Sequence, residues 1–210
     1  DSSGNIYVTG FTERGLDGNI HSGNDDIFLV KYNSSGTKQW TKQLGTSKSD
    51  SGNSVTTDSS GNIYVTGETG EGLNGNTNAG KSDIFLIKYN SSGTKQWTKQ
   101  MGTSSIDLGT GVTTDSSGNI YLTGFTKGGL DGNNSSGESD IILSKFISTG
   151  TKQWTKQLGT PSYESGSGVT SDSSGNIYVT GTTSGGLDGN TNYGKRDIFL
   201  VKYNSSGTIQ

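Results

Sequence analysis

The string DSSGNIYVTG starts at Asp1 and at Asp58, returns as DSSGNIYLTG at Asp115, and starts again at Asp172, so each step is 57 residues. TKQWTKQ keeps that step through Trp40, Trp97 and Trp154, and no copy carries an insertion or deletion relative to another. A strict period of this size marks a repeat architecture, in which a single unit cannot bury its own apolar face and stacked neighbours make the core. The copies run 1–57, 58–114, 115–171 and a partial 172–210, read as a single domain or fragment. Composition alone would leave folding in doubt. Only 26% of the 210 residues are hydrophobic and 35 are Gly, which approaches a disordered composition. The formal net charge of -3 is far from the high charge that disorder also requires. An ordered pattern is repeated here, not a composition.

Within one period four short strands alternate with turns. Taking Asp50 to Gln100 as the unit, strand A is predicted at Ser54–Thr57, B at Ile63–Thr66, C at Asp83–Tyr89 and D at Lys95–Met101. The A–B and C–D connections, Asp58-Ser59-Ser60-Gly61 and Asn90-Ser91-Ser92-Gly93, are tight hairpins. In each, the Asx side chain accepts backbone N–H bonds and Gly supplies positive φ. Strand C is apolar on both faces, Ile84 and Leu86 on one and Phe85, Ile87 and Tyr89 on the other. A sheet with one wet face alternates more cleanly, so both faces are expected to be covered. Small four-stranded antiparallel sheets stacked face to face are the blades of an all-β propeller.

The run D-S-S-G-N-I-Y-V-T-G followed by D-I-F-L-V-K-Y-N-S-S-G-T-K-Q-W resembles the SBBP repeat, a bacterial β-propeller repeat, over all four copies. The third copy departs in strand C, where Ile142, Ser144 and Ile147 replace Phe, Val or Ile, and Asn. The resemblance implies the propeller fold and a bacterial, often exported setting, hence a secreted or cell-surface protein. It implies no common catalytic residues.

In such a meander the A–B and C–D turns share one face of the disc, and the B–C and D–A loops share the other. The first pair is nearly identical between copies. The second holds most differences: Phe11-Thr12-Glu13-Arg14 against Glu68-Thr69-Gly70-Glu71, and Lys48-Ser49 against Ser105-Ile106 and Ser162-Tyr163. A protein or glycan partner is expected on that face, where backbone demands are lightest; neutral drift in solvated loops is the alternative. The first copy lacks strand A and the last lacks most of strand D. The chain is therefore expected either to belong to a propeller of seven or eight blades or to self-associate to close a ring.

The B–C loop also carries a pattern suggestive of calcium. Its oxygen-bearing residues are Asp17, Asn19 and Asp26; Asn74, Asn76, Asn78 and Asp83; Asp131, Asn133 and Asp140; and Asp188, Asn190, Asn192 and Asp197. Alternate oxygen side chains, a bend at Gly and a later carboxylate suit a weak Ca²⁺ loop. The Gly and the final acid stand at positions 7 and 10, whereas an EF-hand has them at 6 and 12. The competing reading is a set of Asx-turns that satisfy loop backbone. Asp50, Asp107 and Glu164 before strand A form either a cation-holding ring near the central channel or caps for the linker turn. Trp40, Trp97 and Trp154 are either sugar platforms or covers for the outer blade edge. Lys38, Lys42, Lys95, Lys99, Lys152 and Lys156 around them read as protection of an outermost strand.

Other functions find little support. His21 is the sole histidine and fills a slot held elsewhere by Asn or Ser, which leaves no base for a triad. Only Arg14 and Arg196 are present, too few for the arginine set of a sialidase-like propeller. No segment reads as a helix, no Gly-rich phosphate loop precedes one, and Cys is absent. No apolar run approaches the ~20 residues of a membrane span, so membrane insertion is not expected. The charge is mildly acidic without a basic block, so a nucleic-acid partner is not expected either. The expectation is a non-catalytic binding scaffold, with a purely structural repeat module or a lectin-like propeller as alternatives.

Overall fold

The computed structural model describes all 210 residues as four antiparallel sheets. The first holds β1 (Ile6–Thr12), β2 (Asp26–Tyr32) and β3 (Lys38–Leu44). The second holds β4 (Asp50–Thr57), β5 (Ile63–Thr69), β6 (Asp83–Tyr89) and β7 (Lys95–Met101). In the third are β8 (Asp107–Thr114), β9 (Ile120–Thr126), β10 (Asp140–Phe146) and β11 (Lys152–Leu158). The fourth comprises β12 (Glu164–Ser171), β13 (Ile177–Thr183) and β14 (Asp197–Tyr203). Each is a meander in chain order, the blade of a propeller, and helical backbone is confined to 3₁₀ turns at Leu73–Gly75, Leu130–Gly132 and Leu187–Gly189.

Strands C and D keep their predicted limits, but A and B are longer. Strand A begins at Asp50 instead of Ser54, because a bulge absorbs the turn-like Ser-Gly-Asn: Gly52 pairs with Gly67 and Ser54 with Thr66, leaving Asn53 unpaired. Strand B runs on to Thr69, three residues past its predicted end. Both paired positions must be Gly, since a Cβ would come within 2.3 Å of Thr9 Oγ1 at Gly52 and 1.8 Å of the Ser51 carbonyl at Gly67. The side chain freed by the bulge reaches the neighbouring blade. Asn53 Nδ2 donates to the Gly109 carbonyl (3.0 Å), and Thr110 Oγ1 to that of Gly166 (2.6 Å). Inner strands β4, β8 and β12 are thereby joined side by side.

Both faces of strand C are buried as its pattern predicts. Phe85, Ile87 and Tyr89 pack with Ile27 and Leu29 of the first sheet, while Ile84 and Leu86 pack with Ile120, Leu122 and Ile142 of the third. Burying a side chain of this kind is worth about 1.5–3 kcal/mol, so a few such residues per interface hold a chain otherwise poor in apolar groups. Ser144, set in this core, bonds to Thr155 Oγ1 at 2.9 Å, which makes the polar substitution tolerable.

Polar turns lock the hairpins on one face of the disc. Asp58 Oδ1 accepts the N–H groups of Ser60 and Asn62, and its Oδ2 accepts Asn62 Nδ2 and the hydroxyl of fully buried Tyr64. Burial alone would push the Asp58 carboxyl up, but these bonds outweigh it and hold the carboxyl below the ordinary aspartate value. Such a group stabilises the fold above its unfolded pKa, and the contribution is lost as pH falls through the folded one. Asp58→Ala is expected to cost about 1–3 kcal/mol at neutral pH, with the Tyr64 hydroxyl orphaned. Denaturant unfolding at a series of pH values should show the gap to the native chain narrowing as Asp58 is protonated.

In the second C–D turn, Asn90 Oδ1 accepts the N–H groups of Ser92 and Thr94 at 3.2 and 2.8 Å. Ile147 fills that slot in the third copy and has no acceptor to offer. Ile147→Asn is therefore expected to stabilise the chain by about 0.5–1.5 kcal/mol. Thermal unfolding checks this, with a rise of roughly 2–4 °C per kcal/mol at this chain length.

Candidate functional site

The B–C and D–A loops meet on the opposite face of the disc, where Gly70 N–H bonds to the Ser49 carbonyl and Lys127 N–H to that of Ile106. In each B–C loop the chain turns through a left-handed residue, Asp17, Asn74, Asp131 or Asp188 (φ 52–54°), followed by Gly. Asx residues tolerate that conformation best among non-glycines. The turn sinks a Leu under the loop, with Leu73, Leu130 and Leu187 all buried. A glutamine of strand D then pins the loop. Gln100 Oε1 accepts Leu73 N–H at 2.9 Å while its Nε2 donates to Asp83 Oδ2 at 2.9 Å. Gln43 and Gln157 make the same bridge to Leu16 and Asp26 and to Leu130 and Asp140.

The calcium-pattern residues are placed by these bonds. Asp17 and Asp131 face outward, each taking the ammonium of a strand-D lysine (Lys38 or Lys152) and a threonine hydroxyl (Thr41 or Thr155). Asn74 accepts from the Lys95 ammonium through Oδ1 and donates its Nδ2 to the Thr98 hydroxyl (2.8 Å). Asn19, Asn76, Asn133 and Asn190 donate to the carbonyl of the loop leucine at 2.7–3.0 Å. Asn78 and Asn192 each accept an N–H two residues on, from Gly80 and Gly194. Asp26, Asp83, Asp140 and Asp197 each accept the N–H four residues back at 2.8 Å. The carboxylate of Asp188, left-handed like its counterparts, has no side-chain hydrogen bond to a strand D, which the fourth sheet lacks. No three His, Cys, Asp or Glu side chains come together as a metal-holding group anywhere in the chain.

Asp50, Asp107 and Glu164 cap the D–A turn. Their carboxylates accept the N–H groups of Thr46, Thr103 and Thr160, each at 2.6 Å, together with the hydroxyls of Thr69, Thr126 and Thr183. All three are fully buried, so they do not form a ring open to a channel. Burial pushes the Asp50 and Asp107 carboxyls up, and the nearby carboxylates of Asp26 and Asp83 add to the effect. The tryptophans cover the outer part of each blade interface. Gly93, Gly150 and Gly207 of the next blade sit on Trp40, Trp97 and Trp154 so closely that an added Cβ would lie 3.0, 3.0 and 3.2 Å from the rings.

A family model described as "Beta-propeller repeat" (SBBP) matches residues 39–74, 96–131 and 153–188, just over half of the chain. The chain belongs to the SBBP β-propeller repeat family. Among curated proteins it is similar to "Regulatory protein FlaEY" of Caulobacter vibrioides, 27% identical over 189 residues, covering 80% of this chain and 20% of that protein. It is also similar to "Uncharacterized WD repeat-containing protein L264" of Acanthamoeba polyphaga mimivirus, 32% identical over 124 residues, covering 51% of this chain and 9% of that protein. The chain thus spans a fifth or less of the length of either relative.

On the SBBP blades the variable positions gather at the junctions. Parallel bridges pair Asp25 with Ser49, Ser82 with Ile106 and Ser139 with Tyr163, so each B–C loop lies beside the next linker. Between the third and fourth blades Phe125 meets the Tyr163 ring (centroids 5.9 Å, 52°), and the Arg196 guanidinium lies 4.8 Å from the centre of that ring. Glu138, Pro161, Ser162 and Ser184 complete an open cleft of about 350 Å³ there. Between the first two blades Phe11, Asp25, Ser49, Ser51 and Glu68 line a smaller one of about 170 Å³. Sequence reading singled out Tyr163 and Phe11 as differences between copies but not the convergence of Phe125, Tyr163 and Arg196. Comparing equivalent slots (Asp25, Ser82, Ser139 and Arg196) would have flagged the arginine.

The loop bonds lead to a direct expectation for calcium. With most loop oxygens engaged by lysines, threonines and backbone, and the unpartnered oxygens of Asp26, Asp83 and Asp140 buried away from an entering ion, about 10 mM Ca²⁺, above the weak extracellular class, should leave the melting temperature unchanged. A rise that EDTA reverses would instead place the ion in these loops.

Proposed function

We propose that this chain is a non-catalytic interaction scaffold of a secreted or surface bacterial protein, and that it binds a protein partner on the face of the B–C and D–A loops. The observation that carries the reading is the Phe125–Tyr163–Arg196 cluster beside an open cleft. Tyr and Arg are the residue types enriched at binding hot spots, and here they stand on a frame of tied loops that needs little ordering on association. The hairpin turns of the opposite face are nearly uniform from blade to blade and offer no comparable cluster. The tryptophans, which a glycan reader would use as platforms, lie half-buried with a neighbouring turn packed on each ring, so a protein partner is favoured over a glycan.

The test is quantitative capture from the extracellular and surface fraction of the source bacterium, with the native chain and three variants immobilised. Tyr163→Ala and Arg196→Ala should each weaken capture by about tenfold or more. Ser116→Arg, on the opposite face, should leave it intact. Capture that ignores both loop-face variants, or that is lost with Ser116→Arg, would refute the assignment; binding on a glycan array without protein capture would move it to a lectin.

A further inference from the structure

Every junction inside the chain is latched in the same way. A strand-C lysine lies over the tyrosine of its own blade and donates to a carbonyl in the C–D turn of the next. Lys31 reaches Ser91 at 3.3 Å, Lys88 reaches Ser148 at 3.0 Å and Lys145 reaches Ser205 at 3.3 Å. Beside the latch, alternate strand-C residues of the receiving blade fill the space between the sheets. At the first junction these are Phe85, Ile87 and Tyr89, and at the third Phe199, Val201 and Tyr203. The second junction has Ile142, Ser144 and Phe146 in those places. An aromatic ring has become an aliphatic chain, an aliphatic chain a hydroxymethyl group, and a tyrosine has lost its hydroxyl. All three changes remove volume from the face turned toward the second sheet.

Met101, the sole methionine, stands on that sheet where the first and third have Leu44 and Leu158, and its Sδ lies 3.9 Å from Ser144 Oγ. A thioether chain adapts to an irregular gap, but this gap is not filled. Between the second sheet and the C–D hairpin of the third lies a cleft of about 330 Å³. Ile84, Leu86, Met101 and Phe146 form its apolar lining, and Lys99 and Lys152 add two exposed cations. Both walls belong to complete four-stranded sheets, so the cleft is a property of the junction itself. No carboxylate lines it. Lys152 is paired with Asp131, whereas the Lys99 ammonium has neither ion pair nor hydrogen bond; its stem rests on Gly150, where an added Cβ would meet Cε at 2.8 Å.

We infer that this cleft binds a medium-chain aliphatic carboxylate, with its hydrocarbon tail against Ile84, Leu86, Met101 and Phe146 and its head on the Lys99 ammonium. The volume falls at the small end of the range for small-molecule sites, and a mostly apolar lining with a single charged anchor is their usual composition. The unpaired ammonium sets the sign of the head, since it attracts an anion and repels a second cation. A carboxylate also makes the stronger, charge-assisted hydrogen bond that a neutral alcohol cannot.

Met101 makes the test specific to this cleft, because no other methionine contributes a signal. With its methyl group isotopically labelled, the 210-residue chain is titrated with hexanoate, heptanoate and octanoate and followed by NMR. The Met101 resonance should move saturably, and affinity should rise about three- to fourfold per added methylene, the equivalent of burying one CH₂. Lys99→Gln, at an exposed position, should keep the thermal melt of the native chain and weaken octanoate by about tenfold or more. Octylammonium, with the same tail and the opposite charge, should leave the resonance in place. A Met101 signal that ignores octanoate, an affinity that ignores chain length, Lys99→Gln binding as tightly as the native chain, or octylammonium binding as well as octanoate would each overturn the assignment.

Discussion

Everything in this molecule depends on strand C being wanted on both sides. Ile84 and Leu86 enter one interface and Phe85, Ile87 and Tyr89 the other, so one seven-residue strand serves two cores. That economy lets a chain with 26% hydrophobic residues fold at all. It also makes each blade incomplete by itself. Stability is then shared among nearest neighbours, and the junction is the natural unit of cooperation.

Polar groups do the complementary task of fixing geometry. The Gln of strand D ties the buried Leu of its loop to the Asp that opens strand C, and the acid that opens strand A caps the linker before it. Buried carboxylates are costly unless they are bonded, and here backbone N–H groups and threonine hydroxyls meet that need. The second, equally buried oxygens of Asp26, Asp83 and Asp140 remain without a partner, packed against Gly45, Gly102 and Gly159. The loop face is therefore stiff in its backbone and varied in its side chains, the combination that suits recognition.

Much of this was legible in the sequence, for reasons that can be named. The 57-residue period, the Asx-Ser-Ser-Gly turns and the two-sided strand C are local or periodic signals, and blade composition and facing follow from them. Strand A was read four residues short because Asp-Ser-Gly-Asn has the chemistry of a turn. Only its pairing with Gly67 and the bulge at Asn53 make it a strand. The loop acids offered two readings, since Asp and Asn serve calcium and Asx-turns alike. What the local pattern did not contain was the identity of the partners, Lys38, Thr41 and Gln43, which arrive from a strand some twenty residues away. The Phe125–Tyr163–Arg196 cluster was hidden for the same reason, being assembled from two blades and the linker between them.

The lysine that crosses each junction has a consequence for how such a chain changes over time. Lys31, Lys88 and Lys145 all find their acceptor 60 residues ahead, whichever blade they belong to. Every seam is thus written in the same code, and a blade does not distinguish one neighbour from another. A duplication or deletion of one whole 57-residue unit would leave each remaining seam matched, whereas one residue gained or lost inside a strand would turn the faces of the rest of that strand inside out unless a bulge absorbed it. Blade number is then free to drift by whole units while the spacing inside a unit is held, and that is the pattern these gapless copies display.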